Sequence, residues 1–213
     1  MERRTAVTVL FVLSFVFIAS AQKPKGMKPG VERWPIKTTA HHLNETPQDV
    51  TFAQFIALAD PPGVTRNDPR YQDSFIPAFQ NSLNLREGDM VRVSGWLHLV
   101  AYETDGDFHI QISNSPASGD SCIIVEVPYP TYVKTAAKLK KLCSAVRTEI
   151  KKDMLANKDP STSGTVLKKA VHVTLAGQLF FDDSHVGDKR RGKKGMKAAT
   201  LWEVHPMTSL VLQ

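Results

Sequence analysis

Cysteine is scarce in this sequence: Cys122 and Cys143 are the only two in 213 residues. At most one disulfide can form, and no C-x-x-C zinc site exists. Also missing are the Gly-x-Ser-x-Gly elbow, the phosphate-cradling Gly-x-x-x-x-Gly-Lys-Ser/Thr loop, the dinucleotide fingerprint and H-E-x-x-H. Their absence removes the usual nucleophilic, nucleotide-binding and zinc-protease readings. There is no internal repeat, and beyond residue 21 no run is long and apolar enough to span a membrane.

The one apolar run opens the chain. Glu2, Arg3 and Arg4 precede an almost unbroken apolar stretch from Ala6 to Ile18, which closes on Ala19-Ser20-Ala21. A charged start, a short apolar run and a small-x-small end form the pattern of a secretory signal peptide, predicting cleavage after Ala21 and an exported, periplasmic or secreted chain. The alternative is an uncleaved anchor, but a span needs about 20 apolar residues and this run is shorter. In an exporting compartment Cys122 and Cys143 either pair or remain as buried thiols. Cys122 starts a predicted strand and Cys143 lies on a helical stripe, so side-chain direction decides between the two. The formal charge is +6, or +5 once two cations and one anion leave with residues 2–4. That modest excess favours anionic surfaces without demanding nucleic acid.

Residues 22–50 carry Pro, Gly and polar residues without a period, which predicts a flexible arm or linker. Phe52, Phe55, Ile56 and Leu58 recur at helical spacing until Pro61-Pro62-Gly63, predicting a short helix in a segment, 51–87, that packs on the main domain. The organised part, 88–213, follows. Its strands are predicted at 90–100, 108–112, 122–127, 171–181 and 199–205, the last with an extension to Leu212. Thr104-Asp105-Gly106-Asp107 turns the first hairpin. A helix is predicted over 131–155, where Val133, Leu139, Leu142, Val146, Ile150 and Met154 recur at threes and fours. Mid-strand glycines at 95 and 177 mark bulges or sharp bends.

Three strands, a helix and two strands is the order of a mainly β, five-stranded, OB-fold-like Greek-key barrel with its helix between strands 3 and 4. Another small barrel or an α+β sandwich are the rivals. The expected core unites Val93, Trp96, Ile110, Ile112, Val125, Leu175 and Val204 with Leu142 and Val146. Gly106-Asp107-Phe108-His109-Ile110, Ile123-Ile124-Val125-Glu126-Val127-Pro128, Gly177-Gln178-Leu179-Phe180-Phe181-Asp182 with His185, and Trp202-Glu203-Val204-His205-Pro206 together resemble a group of exported bacterial proteins of unknown function. The resemblance spans roughly residues 85–210. It implies an OB-like domain and carries no activity or ligand with it.

Chemistry-bearing residues gather in or just after the strands: Asp107, His109, Glu126, Asp182, His185, Glu203 and His205. Imidazole with carboxylate suits divalent transition metals, and His109, His185 and His205 are the candidate ligands. Strand period 2 sets His109 opposite Phe108 and Ile110, and Glu203 and His205 opposite Trp202 and Val204. The same residues would also serve as a structural hydrogen-bonded network or as acid-base groups. Asp105-Gly106-Asp107 resembles the calcium-binding turn of staphylococcal-nuclease-like barrels, but the following strand lacks the arginine those enzymes need. Lys189, Arg190, Arg191, Lys193, Lys194 and Lys197 crowd the loop before the last strand, a candidate site for a polyanion. Stacking platforms for single-stranded nucleic acid are few. The expectation is therefore a noncatalytic binding or structural module of the cell envelope, with no cofactor required and a divalent metal as an option. The alternative is a metal-assisted hydrolase, phosphodiesterase or nuclease-like, built on the His and carboxylate set.

Overall fold

The computed structural model describes residues 32–133, 136–188 and 191–213. The expected signal peptide, the arm as far as residue 31, and Lys189 and Arg190 lie outside the described residues. Two short helices, α1 (Trp34–Lys37) and α2 (Phe52–Ile56), flank the two-residue strand β1 (Gln48–Asp49). Then come β2 (Met90–Tyr102), β3 (Phe108–Ser113), β4 (Cys122–Val127), α3 (Ala137–Met154), β5 (Thr165–Phe181) and β6 (Ala198–Leu212).

Hydrogen bonding runs β2-β3-β4-β6-β5, and β2 pairs again with β5 to close five strands into a barrel. The β4–β6 pair is parallel, the other barrel pairs are antiparallel, and α3 lies between the third and fourth barrel strands. This is the OB-type barrel. Closing so few strands needs sharp local curvature, and the glycines supply it. A Cβ on Gly95 would meet the Ser113 carbonyl oxygen at 2.9 Å, and the β2 register slips just beyond, between Leu97 and Leu99. One on Gly177 would lie 2.4 Å from the Pro206 oxygen, with register slips on both sides.

The inward row is apolar. Val93, Phe108, Ile110, Ile112, Val125, Leu175, Trp202 and Val204 are buried together with one stripe of α3, namely Leu139, Cys143, Val146 and Ile150. That stripe runs at spacings of four, three and four, the period of a helix face. Two expected core members move off it. Leu142 is half-buried one residue from the stripe, and Trp96 is half-buried with its ring 4.8 Å from His172. The helix also starts at Ala137 rather than Thr131, because Tyr129 to Tyr132 form a turn around Pro130, closed by the Tyr132 amide on the Tyr129 carbonyl at 2.9 Å. Strand β5 begins six residues early, at Thr165, where Lys168 and Lys169 at an exposed end hide the alternation. Cys122 and Cys143 are buried free thiols.

The segment expected as a loose arm is docked from Glu32 onward. Arg33 is 2% exposed, and its guanidinium donates to both oxygens of Glu87, at 2.6 and 2.7 Å, and to the carbonyls of Tyr71, Ser74 and Phe181. Glu87 in turn accepts from the amides of Ile76 and Phe181. A buried charge is tolerable only when paired and fully hydrogen-bonded, and this one is. The anchor lays α1 against the outside of β5, where the Ile36 carbonyl accepts from Gln178 and the Lys37 ammonium stands 5.6 Å from the Phe180 ring centre. Composition predicted flexibility; one long-range ion pair overrides it.

Candidate metal centre

Strand alternation puts a second, polar row on the outside of β3, β4 and β6, yet this outer row is not in water. His109 is 8%, Glu203 3% and His205 0% exposed. Two coverings account for this: α1, which brings Lys37, and the loop from Arg191 to Lys197, which folds back so that the Ala198 amide donates to the Arg191 carbonyl at 2.8 Å. Between the coverings a cleft of about 570 Å³ stays open. Glu32, Glu103, Asp105, Glu126, Asp182 and Glu203 line it, against Lys37, Arg66, Arg191 and Lys193, so carboxylates outnumber the cations. His109 and His185 also reach its wall, while Asp107 and His205 lie buried beneath.

At the centre stands Glu126, on β4 between β3 and β6. Its Oε1 is 3.0 Å from His109 Nδ1, and its Oε2 is 3.2 Å from His205 Nδ1. Glu103 Oε1 lies 3.6 Å from the same His109 nitrogen. His205 Nε2 is 3.5 Å from Asp107 Oδ2, and Glu203 Oε2 is 3.8 Å from its Nδ1. None of the His205 contacts has hydrogen-bond geometry: among the described residues both its ring nitrogens and Asp107 Oδ2 lack a hydrogen-bond partner. Buried polar atoms are rarely left so, and each instance calls for a physical cause. The other Asp107 oxygen is satisfied by the Tyr129 amide at 2.8 Å, which fixes the carboxylate in place.

No family model matches the chain, and no curated protein or solved structure shows significant similarity to it. The reading of the site therefore stands on its geometry.

Burial works to raise the Glu126 carboxyl, but the His109 hydrogen bond and the charges of His205, His109 and Lys37 hold it down at about 2. Asp105 behaves in the opposite way. Burial, then the neighbouring charges of Asp107 and Glu126, push it up to about 7, although its Oδ1 accepts from the Asp107 amide. Burial also opposes the charge on Lys37, yet Glu126, Asp182, Asp105 and Asp107 together keep its pKa above the ordinary lysine value.

The seven expected polar residues thus divide. Asp107, His109, Glu126 and His205 converge, and each of two triplets, Glu103 with His109 and Glu126, and Asp107 with Glu126 and His205, keeps one donor atom per residue within 4.8 Å of the others. His185 does not join them. Its Nδ1 is hydrogen-bonded to Asp182, and its side chain is 44% exposed at the far rim. Asp182 and Glu203 are both engaged by Arg191, whose side chain is 8% exposed and also donates to the Thr200 carbonyl. Of the basic loop, then, Arg191 is an internal strut. Lys193 pairs with Glu103 at 2.9 Å, and Lys194 and Lys197 are exposed.

Two residues of the site, Glu103 and Lys37, escaped the sequence reading, and Asp105 entered it only through the Asp105-Gly106-Asp107 turn. Glu103 opens that hairpin turn and had a local signal, since a turn ending beside His109 brings its own carboxylates. Lys37 had none, because only the Arg33 anchor brings it there.

Proposed function

We propose that the protein is an exported OB-barrel binding module of the cell envelope that holds a divalent transition-metal ion at the Glu126 centre. The observation that carries this reading is His205: fully buried, with both ring nitrogens and the facing Asp107 oxygen unpartnered, beside a carboxylate at 3.2 Å. Two ligands at about 2.1 Å from a metal lie about 3.0–3.4 Å apart at right-angle to tetrahedral geometry. The spacings of 3.0 and 3.2 Å around Glu126 fall in that range. Imidazole nitrogen with carboxylate oxygen suits zinc or manganese better than calcium or magnesium. Element analysis of protein purified without chelator tests the reading: a near-stoichiometric first-row metal is expected, and protein free of metal that also takes up none from zinc or manganese solutions overturns it.

Export rests on the pattern of residues 1–21 and on the resemblance to exported bacterial proteins. Intact mass of protein recovered from the envelope fraction is expected to start at Gln22.

A metal-assisted hydrolase is the second reading, favoured by Asp105. A carboxyl held near 7 in an open cleft suits general acid-base work at neutral pH. Manganese-dependent cleavage of an activated phosphodiester, abolished in Asp105→Asn with metal content unchanged, would support it. No turnover in metal-loaded protein would leave the binding module.

A further inference from the structure

We infer that the centre is built for two cations, an inner ion at Asp107 and His205 and an outer ion at Glu103 and His109, with Glu126 as the carboxylate they share. This rests on the metal reading above and goes beyond it in number and arrangement. The two oxygens of Glu126 face opposite histidines, Oε1 toward His109 at 3.0 Å and Oε2 toward His205 at 3.2 Å. A carboxylate that directs one oxygen to each of two nitrogen donors has the form of a bridge, and ions bridged in this way sit about 3.5–4 Å apart.

The proton positions around His109 point the same way. The Lys193 backbone N–H donates at 2.6 Å to Gln111 Oε1, so that atom is an acceptor and must be the amide oxygen. The other end of the same amide donates to Cys122 Sγ at 3.6 Å. His109 Nε2, 3.1 Å from that oxygen, therefore carries a hydrogen and donates it. Without metal the remaining nitrogen, Nδ1, donates to Glu126 at 3.0 Å; once that proton leaves, the neutral ring presents an Nδ1 lone pair between the oxygens of Glu126 and Glu103, at 3.0 and 3.6 Å. A backbone amide, a glutamine and an imidazole in sequence are the outer arrangement that fixes a ligating histidine's tautomer. At the inner position the unpartnered buried atoms are His205 Nδ1 and Nε2 and Asp107 Oδ2. The two positions differ in access, since Glu103, His109 and Glu126 line the cleft and Asp107 and His205 do not. Glu103 Oε1 now meets the Lys193 ammonium at 2.9 Å, a partly exposed contact that an arriving ion displaces at little cost.

The ligand class is a pair of first-row divalent ions, and the cleft above the outer ion leaves room for an oxyanion to complete its shell. The experiment is titration of metal-stripped, full-length mature protein with manganese alone and with zinc alone, for the wild type, Glu103→Gln and Glu126→Gln, read as bound equivalents and, for manganese, as spin coupling between ions. Two equivalents with coupling in the wild type, one uncoupled equivalent in Glu103→Gln and at least a tenfold loss of affinity for both in Glu126→Gln are expected. One equivalent in the wild type, unchanged in Glu103→Gln, overturns the two-ion centre and leaves the single-metal reading intact. No binding to wild-type protein overturns both. Glu103 is partly exposed, so its variant is expected to fold, and a circular dichroism spectrum matching the wild type confirms that a lost equivalent is a lost ligand.

Discussion

The Nδ1 atom of His205 lies 3.2 Å from Oε2 of Glu126, and neither nitrogen of that fully buried ring has a hydrogen-bond partner among the described residues. A pair so placed is stable in one of two conditions. Either a proton on Nδ1 lies between the ring and the carboxylate, or a metal cation does.

Acid should destabilise the metal-free protein through Glu126. Its folded pKa, about 2, lies below the ordinary carboxylate value of 4.5. The folded state therefore binds the proton less tightly, and the stabilisation is fully present above about pH 4.5 and lost as pH falls toward 2. Urea midpoints of wild type and Glu126→Gln should converge over that window; parallel curves would mean that Glu126 is not held by its neighbours.

Asp105 should act with the opposite sign. Its folded pKa, about 7, lies above its ordinary 3.8, so the folded state holds the extra proton and stability falls as pH rises from about 4 through 7. Asp105→Asn keeps the oxygen that accepts the Asp107 amide and removes the charge. In chelated protein the variant should be the more stable at pH 8 and lose that advantage at pH 4. A variant less stable than wild type at pH 8 would contradict the assignment.

Glu87→Ala should be severe. It strips Arg33 of its counter-ion and leaves the amides of Ile76 and Phe181 without their acceptor, all in a buried setting. Removing one member of a buried pair typically costs about 3–5 kcal/mol. Denaturant unfolding should show a loss of that size, and hydrogen exchange should show α1 released. If α1 stayed protected, the Arg33 anchor would not be what holds Lys37 over the cleft.

The helix stripe makes a paired prediction. Ile150→Ala truncates a fully buried side chain and should cost about 2–5 kcal/mol, while Leu142→Ala, at a half-buried position, should cost clearly less. Equal losses would put the wrong face of α3 against the barrel.

These contrasts also show what was legible in the sequence. The strand order, the hairpin at Gly106 and the bends at Gly95 and Gly177 follow from local chemistry: alternation, turn residues and missing side chains. Alternation also put His109 and His205 on one outer row. It could not say that this row would be buried, because the coverings, α1 and the loop after Arg191, come from distant segments held by ion pairs. Lys37 was invisible for the same reason, and His185, three residues from Asp182, was diverted by its nearer carboxylate. Leu142 failed more simply: both it and Cys143 fit a spacing of three or four from Leu139, and packing selected the cysteine.

The most direct measurement is the thermal midpoint of metal-stripped protein with and without zinc at pH 7.5, in wild type and Glu126→Gln. A ligand at a hundredfold excess over its Kd adds about 2.7 kcal/mol, which for a chain of this size raises the midpoint by roughly 5–10 °C. That rise is predicted in the wild type, and none in Glu126→Gln. A wild-type midpoint that zinc leaves unmoved, or an equal rise in Glu126→Gln, would contradict the metal reading.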